Sequence, residues 1–161
     1  MRILVFLHGT VLMHRTGRGK TRKERVRQVL SSDSSVVEYR SYIPIDDAVA
    51  KLQKWAKQGA DILYLSSHTD AKVAKEDAKV LEHHKFPKGQ IFYRAKGERY
   101  ADVIERVKPD VLIEDTCESI GGEGEMSSPH VSPALKKTIR IHVVLEFGGI
   151  DHLPDTIADI Y

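Results

Sequence analysis

Met1-Arg-Ile-Leu-Val-Phe-Leu-His-Gly-Thr10 is the stretch on which the fold turns. Its apolar run, Ile3 to Leu7, has none of the alternation of a strand with one wet face, and it stops at His8-Gly9-Thr10. A short uninterrupted apolar run with polar residues at its exit is the pattern of a strand covered on both faces, as in a parallel sheet. The run is shorter than the core of a secretory leader, and no small-residue cleavage site follows it.

Four later runs repeat the pattern. Asp61–Leu65 ends in Ser66-Ser67-His68, and Gln90–Tyr93 follows. Val111–Ile113 ends in Glu114-Asp115-Thr116-Cys117-Glu118, and Ile139–Leu145 ends in Glu146-Phe147-Gly148-Gly149. Helical patterns lie between them. Asp46 is placed to cap a helix with Val49, Leu52 and Trp55 on one stripe and Gly59 at its exit. Thr69 is placed to cap a second helix reaching about His83. Tyr100, Val103, Ile104 and Val107 make a third stripe, which Pro109 stops. Ser132-Pro133 opens a short turn of helix, and a last turn falls within Pro154–Tyr161. Strand alternating with helix predicts an α/β fold: three layers, a mainly parallel sheet with helices on both faces. The expectation is one domain over residues 1–161, with a basic insertion or flap at about 11–42.

Size and composition agree with that. The chain has 161 residues, 41% hydrophobic and 30% charged, which is globular composition. Its single cysteine, Cys117, cannot close an internal disulfide, so a reducing, cytoplasmic setting is expected. No apolar run approaches the ~20 residues that span a bilayer, which predicts no membrane association. Net charge is only +2, yet it is unevenly spread. From Arg15 to Arg27 seven basic residues meet one acid, Glu24, whereas Asp110 to Met126 holds six acids and no Lys or Arg. Two such segments either face each other across a site or form two solvated edges. Thr16-Gly-Arg-Gly-Lys-Thr21 fails as a phosphate loop because position 14, where a glycine is required, is histidine. Without interleaved aromatics the basic stretch is also weak ground for nucleic-acid binding.

Ligands of open α/β sheets gather at the carboxyl ends of the strands. The strand exits therefore name the candidates. His8 and Asp115 are the catalytic candidates, and Gly9, Thr10, Ser66, Ser67 and Lys96 are the candidates for holding phosphate. Glu114 with Asp115 could hold a hard cation such as Mg2+. Adjacent carboxylates repel unless a cation or N–H groups compensate, so capping of the following turn is the competing account of that pair.

In this order the elements resemble the haloacid dehalogenase-like superfamily, mostly Mg2+-dependent phosphohydrolases. The resemblance rests on Ile3-Leu-Val-Phe-Leu-His-Gly-Thr10, on Ile62-Leu-Tyr-Leu-Ser66, on Lys96 in Ala-Lys-Gly-Glu, and on Val111-Leu-Ile-Glu-Asp115. It implies that Ser66 and Lys96 contact phosphate and that the paired acid binds Mg2+. The family's two aspartates fall on Phe6 and His8 here. Phe6 cannot form an acyl phosphate, and loss of an essential nucleophile costs on the order of 10⁶-fold in rate. The expectation is a protein of this fold without the aspartyl nucleophile, binding a phosphorylated small molecule or nucleotide with a divalent cation. Two alternatives stand beside it. One is a metal-dependent phosphoesterase using His8 with Glu114 and Asp115, where a His8 ligand, beside the acids or His68, favours Zn2+ or Mn2+ over Mg2+. The other is an interaction module docking an acidic partner or RNA through residues 15–27.

Overall fold

The run at the N-terminus becomes the middle strand. In the computed structural model, which describes residues 1–161, β1 (Arg2–Phe6) is central to a five-stranded parallel sheet. There follow β2 (Leu12–Met13), α1 (Arg22–Leu30), β3 (Ile43–Pro44), α2 (Ala48–Lys57), β4 (Asp61–Leu65) and α3 (Ala71–His83). The chain continues through β5 (Ile91–Phe92), α4 (Tyr100–Val107), β6 (Val111–Asp115), α5 (Pro133–Lys136), β7 (Arg140–Val144) and α6 (Ile157–Ile160). Strand order in the sheet is β5-β4-β1-β6-β7, with Leu4 opposite both Leu63 and Leu112.

Alternate residues of the same strands feed two separate cores, which makes three layers. Ile3, Val5, Ile62, Tyr64, Val111 and Ile113 pack under Leu52 and Trp55 of α2, Val80 and Leu81 of α3, and Ile160 of α6. Leu4, Leu63, Leu65 and Leu112 face the other way, against Val103, Ile104 and Val107 of α4 and Leu135 of α5. The α/β arrangement expected from the strand–helix rhythm is therefore present. No helix is long and apolar enough to cross a membrane.

The differences from the expected boundaries are local. Asp47, not Asp46, takes the cap position of α2, because Asp46 sits in left-handed backbone at φ 43°. Asp70, not Thr69, caps α3, accepting a hydrogen bond from Lys72 N at 2.7 Å. The insertion is closed at its base by a ribbon in which β2 pairs antiparallel with β3, Leu12 opposite Pro44. Two residues per strand carry too little periodicity to be seen in sequence.

Within the insertion, Thr21 and Glu24 cap α1 reciprocally. Two of its arginines are spent internally. Buried Arg25 donates to the carbonyls of Gly17 and Phe147, at 3.2 and 2.9 Å. Arg22 pairs with Glu118 at 2.5 Å. The basic and acidic segments thus face each other, joined by that pair.

Candidate functional site

The chain leaves β1 for β4 and β5 on one side of the sheet, then returns to β6 and β7 on the other. That reversal beside β1 opens a crevice at the strands' carboxyl ends, where ligands of such sheets bind. A cavity of about 510 Å³ lies there. Phe6, His8 and Gly9 contribute from the end of β1, Ser67 from the end of β4, and Glu114, Asp115 and Cys117 from the end of β6. Tyr39 and Tyr42 from the insertion, and Arg94, Arg99 and Tyr100 from the β5–α4 side, also line it.

The paired acids divide their work, because adjacent residues of a strand point to opposite faces. Both oxygens of buried Glu114 are taken: Ser127 N and Ser128 N donate to them at 2.9 Å each, and Ser127 Oγ at 2.5 Å. Asp115 accepts instead from Thr10 Oγ1 at 2.7 Å and from Cys117 N at 2.9 Å. The pair clamps two loops to the strand end. With Phe6 supplying no donor and Glu114 saturated, the set of oxygens that a Mg2+ ion needs does not converge here, so the residues do not fit the Mg2+ site that the resemblance implies.

Gly9 is required where it stands. Its φ is 84°, and a Cβ there would lie 2.8 Å from Asp115 Oδ2. Burial, opposed by the bonds from Thr10 and Cys117 and aided by the charges of Glu146 and Glu114, raises Asp115 to a pKa of about 6. Glu146 is itself buried, accepting from Ser119 N at 2.6 Å. Burial beside these carboxylates pushes the Cys117 thiol up, so it stays protonated at neutral pH.

On the opposite wall His8 is held at both ring nitrogens. Ser67 Oγ lies 2.6 Å from Nδ1, and Asp77 Oδ1 lies 3.2 Å from Nε2. Asp77, on α3, is 1% exposed, and its other oxygen accepts from Ser66 Oγ at 2.5 Å. Burial pushes the Asp77 carboxyl up, but the hydrogen bond and charge of His8, with those of Ser66 and His68, outweigh it and hold it below the usual range. Burial and the neighbouring His8 lower the pKa of His68, against the pull of Asp77. Tyr39 and Tyr42 close over this pair, with ring centroids 4.3 Å from His68 and 5.3 Å from His8 respectively.

Of the residues singled out in the sequence, His8, Gly9, Ser67, Glu114 and Asp115 line the cavity. Thr10 and Ser66 are buried behind it, each holding a carboxylate in place. Lys96 is exposed and does not line it. Two other cations do, Arg94 and Arg99; the Arg94 guanidinium carbon stacks 4.0 Å from the Tyr100 ring centroid, and its Nε is buried without a partner. Asp77 is not at a strand exit, yet the sequence carries one signal for it. It lies at helical spacing between Ala74 and Leu81 on the buried stripe of α3, where an acid demands a partner. No family model matches the chain, and no curated protein sequence is significantly similar to it.

Proposed function

We propose that this chain is a haloacid dehalogenase-like protein that has lost the aspartyl nucleophile and binds a phosphorylated small molecule, a nucleotide being the class that suits the cavity. One observation carries the reading: the crevice beside β1 is lined by Phe6 in place of a nucleophile and by Arg94, whose buried Nε has no partner. An unpaired guanidinium N–H favours an anion with several acceptor oxygens. Tyr39, Tyr42 and Tyr100 give the wall an aromatic lining suited to a flat ring. The strand order and the acids ending β6 support the family assignment. The reading as a docking module is weaker, since Arg22 and Arg25 are already bound within the chain.

The test is calorimetric titration with nucleoside mono- and diphosphates and with inorganic phosphate. Nucleotide binding is expected, and Arg94→Ala should weaken it about 10- to 100-fold, the worth of a charge-assisted hydrogen bond. Phosphate release with Mg2+ should stay at the uncatalysed rate. Failure to bind any phosphorylated compound would remove the proposal. Turnover that vanishes in Asp115→Asn would favour a phosphoesterase instead.

A further inference from the structure

We infer that His8, His68 and Asp77 form a binding site for a single transition-metal dication, Zn2+ being the best match. The inference is independent of the nucleotide reading.

Geometry comes first. One ligand atom from each residue lies within 4.8 Å of the other two. His8 Nε2 is 3.2 Å and His68 Nε2 is 3.7 Å from the same oxygen, Asp77 Oδ1. A tetrahedral zinc with bonds of about 2.0–2.2 Å sets its ligands roughly 3.3 Å apart, and the two His–Asp77 separations lie close to that spacing.

A second observation separates this site from an ordinary His–Asp contact. His68 Nε2 is buried and has no hydrogen-bond partner, and its side chain is only 9% exposed. Asp77 does not satisfy it, because 3.7 Å is too long for a hydrogen bond. In the neutral tautomer with its proton on Nδ1, the His68 Nε2 lone pair faces the lone pairs of the Asp77 carboxylate. A cation between the two answers both.

The far ends of two ligands are already anchored as metal ligands require. With Nε2 on a metal, His8 would carry its proton on Nδ1, 2.6 Å from Ser67 Oγ. Ser66 Oγ holds the outer oxygen of Asp77 at 2.5 Å. Tyr39 and Tyr42 shield the imidazoles on the insertion side. Two imidazoles and one carboxylate favour zinc over magnesium, which prefers oxygen ligands alone. His8 is the ligand that also lines the cavity, so a fourth, exchangeable position would open on that side.

The experiment is titration of metal-stripped protein with Zn2+ and Mg2+ by calorimetry, with Co2+ absorption as a spectroscopic report of tetrahedral coordination. The expected result is one Zn2+ per chain, no comparable Mg2+ binding, and the visible bands of tetrahedral Co2+. Losing an outer partner of a ligand typically costs about 10- to 100-fold in affinity, so His68→Gln should cost about 100-fold or more and Ser67→Ala about tenfold. Asp77→Asn should abolish the tetrahedral Co2+ spectrum. Circular dichroism of each variant identifies any that fail to fold, and the milder Ser67→Ala then carries the test. No Zn2+ binding by the stripped protein would overturn the site. So would full-affinity binding retained in folded His68→Gln, which would place the ion elsewhere.

Discussion

Replacing Gly89 with alanine is expected to lower the melting temperature by about 10 °C, from a loss of about 3 kcal/mol. Gly89 lies at the surface, immediately before Gln90 and β5. A Cβ there would fall 2.0 Å from the carbonyl oxygen of Ile62. That neighbour is the backbone of a core strand, not the end of a flexible side chain, so the segment 88–91 must move. Its ladder includes the bonds from Tyr64 N to the Gln90 carbonyl at 2.9 Å and from Ser66 N to the Phe92 carbonyl at 2.8 Å. The segment also leads to Arg94 and Tyr100, so the cavity wall should loosen with it. Thermal denaturation checks the stability, and Arg94-dependent ligand binding checks the wall. A melting temperature within 2 °C of the parent would mean that β5 adapts without cost.

Asp115→Asn is expected to act in the opposite direction, stabilising the protein at pH 8 by about 1–2 kcal/mol, or roughly 5 °C. A carboxyl raised from 3.8 to about 6 burdens the fold in its ionised form by on the order of 3 kcal/mol. Between those values the native state holds more protons at this site than the unfolded chain does. Stability from this group is therefore complete below about pH 3.8 and is lost as pH rises through about 6. Asparagine removes the burden and keeps both contacts, accepting from Cys117 N while its amide donates to the Thr10 hydroxyl. The difference between variant and parent stability should grow from pH 4 to pH 7 and then level off. Taking that difference cancels other groups, such as Asp77, whose lowered pKa acts with the opposite sign. A difference independent of pH would show that Asp115 ionises like an ordinary aspartate.

The strands and the layers were legible because burial on both faces leaves a signature that needs no partner to read. Ile3–Leu7, Asp61–Leu65 and Val111–Ile113 are short apolar runs, and their polar exits located the crevice. Two helix starts differ by one residue, while Ser132-Pro133 opens α5 and α3 ends at His83 as the pattern predicts. Caps such as Asp47 and Asp70 are chosen by backbone angles, and neighbouring residues of similar chemistry compete for them.

Which exit residue faces the cavity was not legible. Ser66 and Ser67 are adjacent and chemically identical, yet strand alternation turns the first to Asp77 and the second to His8. Lys96 and Arg94 are two residues apart, and the path of the chain after β5 brings Arg94, not Lys96, to the cavity.

By itself, the sequence determined the layered α/β fold, the position of the crevice and the absence of a carboxylate at Phe6, since each is a property of local pattern or residue type. Tertiary structure alone decided that Glu114 is saturated, that Asp115 is costly, and that His8, His68 and Asp77 converge. Hydrogen-bond saturation, desolvation and ligand spacing depend on groups brought together from distant parts of the chain: Glu114 meets Ser127, and His8 meets an aspartate on α3. No local pattern encodes those distances.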